Sequence, residues 1–335
     1  MLSEGLYAVC ITALCVLLGT MSAETTTLSL NVREGLTNYL LHCYNHGSAS
    51  DVQKRISWFY TKNEIRESQI PTSLSDPGNV TLLASWSGSD TYVSDSKAWS
   101  MDDYQIGGKY SLRIFNASFP RDNGYFYCVD QVSRDIIRRF HLQILVKITE
   151  IWITEAGDVE GTQTVDVTAG EMARLSCRVN RANPAPDFLW TKNNHLFSNA
   201  SYPDSGDANS GVITFLPTRE MNGEIVRCLA NNQNGPDEIA AAKLNVLYPP
   251  VVTVNWQSGI NVLTCEAEGN PAQYEFYSWE HRVRSTLVDT MQGSASESTS
   301  VLHLPPSGYF VTGDYICSVS NGVGHKQSAS LLCAT

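Results

Sequence analysis

One spacing recurs three times along this chain: a cysteine, a tryptophan 13 to 15 residues later, and a second cysteine beyond it. The copies are Cys43, Trp58 and Cys128; Cys177, Trp190 and Cys228; Cys265, Trp279 and Cys317. In the later two copies the tryptophan precedes its second cysteine by 38 residues in each case. Such agreement does not arise by chance, so the chain is read as three copies of one structural unit. Apolar residues alternate with polar ones around the first cysteines, as at Leu175 and Cys177 and at Leu263 and Cys265, which is the period of a half-buried strand.

The chain of 335 residues allows each copy a core of its own. Aromatic residues at 10% against 17% charged residues exclude a disordered chain, because enough apolar surface is present to offset the entropy of ordering. A net charge of -11 argues against nucleic acid as a partner, since phosphate binding needs concentrated Lys and Arg.

The run from Leu6 to Gly19 is apolar and gives way to small or polar residues through Ala23, which reads as a secretory signal over residues 1–23 despite the acidic Glu4. A membrane anchor is the alternative, against which stands a run shorter than the ~20 apolar residues of a spanning helix. No later segment approaches that length, so no membrane span is expected within this chain, which is either secreted or part of something anchored. Cys10 and Cys15 leave with the signal, and the remaining seven cysteines should be mostly paired outside the cell.

Copies two and three share a bend, Asn183-Pro184 and Asn270-Pro271, and a pattern C-x-[AV]-x-N-x-x-G at Cys228, Ala230, Asn232, Gly235 and at Cys317, Val319, Asn321, Gly324. The Asn and Gly suit a tight hairpin. In copy one Trp58 and Cys128 stand 70 residues apart, and Tyr110-Ser-Leu112-Arg-Ile114 is followed by Asp122-Asn-Gly124-Tyr-Phe-Tyr-Cys128. On these residues the chain resembles the immunoglobulin superfamily over essentially its whole mature length. The resemblance implies an all-β fold of three tandem immunoglobulin-like β-sandwich domains: a V-type domain over 24–147 with two extra strands, and shorter C2- or I-type domains over 148–247 and 248–335. It implies disulfides Cys43 to Cys128, Cys177 to Cys228 and Cys265 to Cys317, each tying strand B to strand F beside the core tryptophan. The tyrosine that anchors the E to F corner is present as Tyr315 but is replaced by Phe126 and Val226 in the other copies, and copy one lacks the Gly-x-Gly bulge of rearranging receptor chains. Continuous strand character from His141 to Ile153 and the prolines of Leu247-Tyr248-Pro249-Pro250 lead us to expect an extended rod with limited bending. Cys333 is expected to be unpaired within the chain.

Side chains alternate across a strand, so placing Trp58 and Cys128 inward turns Phe59, Tyr127 and Val129 outward on strands C and F. On strand G, Phe140, Leu142 and Ile144 face in, and Arg139 and His141 face out. Lys54, Arg55, Lys62, Arg66 and Arg138 lie on or near that face. Aromatic residues ringed by cations have the composition of a protein interface, and we expect Phe59 and Tyr127 to be its exposed anchors. The corresponding outward positions are Thr191 and Arg227 in copy two, Glu280 and Ile316 in copy three.

No H-E-x-x-H, C-x-x-C, G-x-S-x-G or G-x-x-x-x-G-K sequence occurs, so no enzyme chemistry, cofactor or metal is expected. His141 and His195 read as strand or loop residues, and Asp204, Asp207 and Glu220 match no calcium loop. Sequons at Asn79, Asn116 and Asn199 are glycan acceptors in a secreted chain. The expected function is extracellular protein recognition in adhesion through the first domain, with another immunoglobulin-domain protein or a second copy as partner. The chain resembles the nectin, synaptic adhesion and nephrin-related molecules in this. The alternative is a soluble immune-type protein that recognises microbial or glycan targets.

Overall fold

Segments rich in β-branched and aromatic residues, separated by Gly, Pro, Asn and Asp, dictate strands and turns in all three copies. The computed structural model describes residues 26–44, 55–70, 80–86, 91–93, 104–107, 110–159, 162–198, 200–257, 259–305 and 312–333. The expected signal over 1–23, Lys54 and the sequons at Asn79 and Asn199 lie outside them. Contacts divide the chain into a first unit, reaching to Lys147 and including Arg181–Ala185 and Asn232–Gly235, and a second unit holding the remainder.

Among the described residues the first sandwich has nine strands: β1 (Thr27–Arg33), β2 (Thr37–Leu41), β3 (Ile56–Thr61), β4 (Thr81–Trp86), β5 (Thr91–Val93), β6 (Tyr104–Gly107), β7 (Ser111–Asn116), β8 (Gly124–Asp130) and β9 (Ile136–Leu145). They form one sheet of order β1-β9-β8-β3-β4-β5 and another of order β2-β7-β6, the arrangement of a variable-type domain. The inner faces close on a core that includes Leu41, Trp58, Leu112, Ile114, Phe126 and Phe140. The Trp58 indole N–H donates to the Tyr110 carbonyl at 3.1 Å. At the corner before β8, where Phe126 supplies no hydroxyl, Tyr60 donates instead to the Asn123 carbonyl at 2.9 Å. Asp122 is fully buried there. It accepts the Ser118 N–H at 2.7 Å, pairs with Arg121 at 3.0 Å and accepts the Tyr104 hydroxyl, so its charge is compensated on every side.

The second sandwich is built from β10 (Ile151–Ile153), β11 (Gly157–Val159), β12 (Thr162–Thr168), β13 (Ala173–Val179), β14 (Asp187–Lys192), β15 (His195–Leu196), β16 (Ala200–Ser201), β17 (Ser210–Phe215), β18 (Ile225–Asn231) and the first half of β19 (Glu238–Gln257). The third takes the second half of β19, then β20 (Val262–Asn270), β21 (Glu275–Phe276), β22 (Trp279–Val283), β23 (Thr286–Met291), β24 (Ser294–Ala295), β25 (Thr299–His303), β26 (Gly313–Ser320) and β27 (Gln327–Cys333). The 20 residues of β19 thus serve two sandwiches of the second unit. Its pairing with β20 shifts register between Tyr248 and Val251, because Pro249 and Pro250 between them have no N–H to give to a ladder.

Disulfides join Cys43 to Cys128, Cys177 to Cys228 and Cys265 to Cys317. Trp58, Trp190 and Trp279 each sit in the core that holds one of these bridges. Cys333 is a free cysteine, fully buried in the third core. Tyr315 is buried beside it and stacks on His281 with centroids 4.5 Å apart.

Candidate recognition face of the first sandwich

Strands β3, β8 and β9 lie side by side, so that Phe59 neighbours Tyr127 and Tyr127 neighbours Arg139, while Thr61, Tyr125 and His141 form the next row. Alternation places Trp58, Tyr60, Phe126, Cys128, Phe140 and Leu142 in the inner core. Phe59, Tyr127 and Val129 fall on the opposite side of the sheet, where they gather in a separate cluster with Val80 and Ile136.

That cluster corrects one expectation. Phe59, Tyr127 and Val129 are 6%, 0% and 3% exposed, so they are not solvent-facing anchors. The connection that leaves β3 folds back across them, and Ile65 and Ile70 pack against the cluster together with Leu82 and Tyr125. Tyr127 is fixed in place because its hydroxyl accepts the Ile65 N–H at 2.9 Å, and burial pushes its phenol above the ordinary tyrosine value. The short turn Glu67–Gln69 that follows is held by Gln69 Oε1, which accepts the Arg66 N–H at 2.9 Å. The missed signal was Ile65 and Ile70 in the polar stretch Lys62 to Ile70, which reads as a basic rim when only Lys62 and Arg66 are weighed.

What the face offers to solvent is the rim. Tyr125 and His141 are partly exposed, and so is Arg139. The Tyr125 and His141 rings stack with centroids 4.4 Å apart and planes 17° apart. Lys62 and Arg66 are exposed on the connection that follows Thr61, and Arg55 is exposed at the opposite end of β3. Arg138 is not part of this face, because one residue before Arg139 its side chain turns to the other side and donates to the His42 carbonyl at 2.9 Å. The Asn116 sequon is exposed at the end of β7, on the other sheet.

Elsewhere the charged candidates are occupied by local structure. Asp204 accepts the Gly206 N–H at 2.9 Å. Asp207 accepts the Asn209 N–H at 2.9 Å and pairs with Arg178 at 2.6 Å, contacts that hold its carboxyl below the usual range. Among the described residues no group of His, Cys, Asp and Glu could hold a metal ion, and no helix is long and apolar enough to cross a membrane.

The family model described as "Immunoglobulin domain" matches residues 158–232. The chain is similar to neural cell adhesion molecule 1-B of Xenopus laevis, 26% identical over 62% of this chain and 19% of that protein. It is also similar to Kin of IRRE-like protein 2 of Homo sapiens, 28% identical over 79% of this chain and 38% of the relative. The matched stretch is therefore about a fifth to two fifths of these relatives' length. Among solved structures, the I-band fragment I67-I69 from titin aligns over 92% of this chain and 95% of its own with a TM-score of 0.47 and 16% identity. Three disulfides form and persist where the surroundings are oxidising, which places the chain outside the cell, secreted or at the outer side of the plasma membrane. Each sandwich has its own disulfide and core tryptophan, residues 158–232 match the immunoglobulin domain, and the chain is similar to an immunoglobulin-type protein named as a neural cell adhesion molecule.

Proposed function

We propose that this chain acts in adhesion-type recognition between proteins and that the outer face of its first sandwich does the recognising. In this reading the domains run over 24–147, 148–247 and 248–335, the later two act as spacers, and the partner is another immunoglobulin-domain protein or a second copy. The observation that carries it is the stacked pair of Tyr125 and His141 with Arg139 beside it, resting on a second apolar cluster that the inner core does not need. Aromatic and Arg side chains held over a rigid apolar support are the composition of interface hot spots. At the position of Tyr125, three before the second disulfide cysteine, the other sandwiches carry Ile225 and Asp314. The relatives named as cell adhesion molecules support the class of function.

Beads coated with the chain test this reading when they are mixed with one another and with cells that display candidate immunoglobulin-domain proteins. Capture by the wild-type chain and its loss in a Tyr125→Ala, His141→Ala variant of unchanged melting temperature is the expected result. Capture that survives both substitutions removes the face from the recognition site.

A further inference from the structure

The Asn-Pro bend and the asparagine four residues beyond the second disulfide cysteine occur together twice, as Asn183 with Asn232 and as Asn270 with Asn321. As turn residues alone, their amides would face water. Within the second unit they reach back to the strand that enters the third sandwich. Asn270 Nδ2 donates to the Val246 carbonyl at 2.7 Å and to Asn245 Oδ1 at 2.8 Å. Asn321 Nδ2 donates to the Tyr248 carbonyl at 2.9 Å and to the Pro271 carbonyl at 3.1 Å. Within the first unit the bonds to the two strand carbonyls repeat. Asn183 Nδ2 donates to the Ile144 carbonyl at 2.5 Å and to Asn123 Oδ1 at 2.9 Å, while Asn232 Nδ2 donates to the Val146 carbonyl at 2.7 Å and the Pro184 carbonyl at 3.4 Å.

In both sets the two gripped carbonyls stand two residues apart on one extended segment, so they point the same way and can meet one socket. Asn232 and Asn321 are 6% and 8% exposed, which makes their amide bonds costly to leave unmade. A third asparagine in each set holds the N–H of the same residue whose carbonyl is gripped, since Asn123 Oδ1 accepts the Ile144 N–H at 2.9 Å and Asn222 Oδ1 accepts the Val246 N–H at 3.0 Å. Packing is tight around the second set: a Cβ on Gly269 would lie 2.9 Å from Pro250 Cα and 3.0 Å from Asn321 Nδ2. The first sandwich has no Asn-Pro between Cys43 and Trp58, and carries Val132, 78% exposed, four residues after Cys128.

We infer that the Asn-Pro dipeptide and the asparagine four residues after the second disulfide cysteine form a clasp that grips the strand entering a sandwich. In the second unit Asn270 and Asn321 lock the passage through Tyr248-Pro249-Pro250, so that the second and third sandwiches move as one piece and loss of the clasp converts the passage into a hinge.

Spin labels on the full chain read this directly. Met172→Cys and Leu287→Cys place labels on exposed positions of the second and third sandwiches, while buried Cys333 stays unlabelled. The wild-type background should give one narrow distance distribution by pulsed electron paramagnetic resonance. Asn270→Ala with Asn321→Ala should broaden it at least twofold, and Gly269→Ala, which wedges Asn321 from Pro250, should broaden it in an otherwise intact clasp. If the double variant does not fold, Gly269→Ala and Asn270→Ala are read singly against the same criterion. A folded clasp variant whose distribution is as narrow as that of the wild type overturns the inference.

Discussion

Tyr125 on β8 and His141 on β9 are direct cross-strand neighbours whose rings stack 4.4 Å apart at the partly exposed rim of the first sandwich. An aromatic pair of this kind contributes about 0.5–1.5 kcal/mol to the fold beyond its area. As central anchors, the same side chains should each carry roughly 2 kcal/mol of binding, about thirtyfold in affinity. Single alanine variants should therefore lower the melting temperature slightly and partner affinity severely, as measured by calorimetry and surface binding on the same samples. An equal loss in both would mark the stack as structural only.

Phe59 and Tyr127 should behave in the opposite way. Both are buried under Ile65 and Ile70, so Phe59→Ala should cost about 3–5 kcal/mol in denaturant unfolding, the range for a large core truncation. Tyr127→Phe leaves the Ile65 N–H without its acceptor, at a cost of about 1–3 kcal/mol if no water replaces it. Faster hydrogen exchange at Ile65 in that variant is the local readout. A cost below about 1 kcal/mol for Phe59→Ala would mean that the segment does not cover the cluster.

The contrast between these two pairs shows how far the sequence reaches. The cysteine and tryptophan spacing is legible because one disulfide and one indole must meet in each core, which fixes strands B, C and F. Strand parity then tells which side of the sheet Phe59, Tyr127 and Val129 take. It cannot tell what covers that side, because the path of residues 62–70 depends on contacts with β8 about sixty residues away, Ile65 to Tyr127 among them. Asn183 and Asn232 were legible only as turn residues, whereas their amides meet carbonyls 39 and 86 positions distant. Phe126 announces a missing corner hydroxyl, but not that Tyr60 provides one from another strand.

Alkaline pH should weaken the fold through Tyr60 and Tyr315. Burial raises each phenol from 10.0 to about 12, with Asp122 adding to the effect at Tyr60. A raised folded-state value means that this contribution is complete below pH 10 and is lost as pH climbs through about 12. Tyr60→Phe should flatten the fall in stability between those limits, at the expense of the bond to the Asn123 carbonyl at all pH values. An unchanged slope in both Tyr60→Phe and Tyr315→Phe would show that neither phenol titrates differently on folding.

Cys333 should stay a thiol. It is fully buried, and burial pushes its titration upward, so the thiolate needed for disulfide exchange is scarce. A thiol reagent should label nothing in the native chain and one cysteine per mature chain once denaturant is added. A dimer band on non-reducing gels that Cys333→Ser abolishes would contradict this burial.

If recognition runs through the outer face of the first sandwich, hydroxyl-radical footprinting of the captured complex will register it residue by residue. Tyr125 and His141 should lose reactivity on binding, while Met172, Leu196 and Ile239, exposed on the second sandwich, keep theirs. Protection of Leu196 or Ile239 with Tyr125 and His141 unchanged would contradict it.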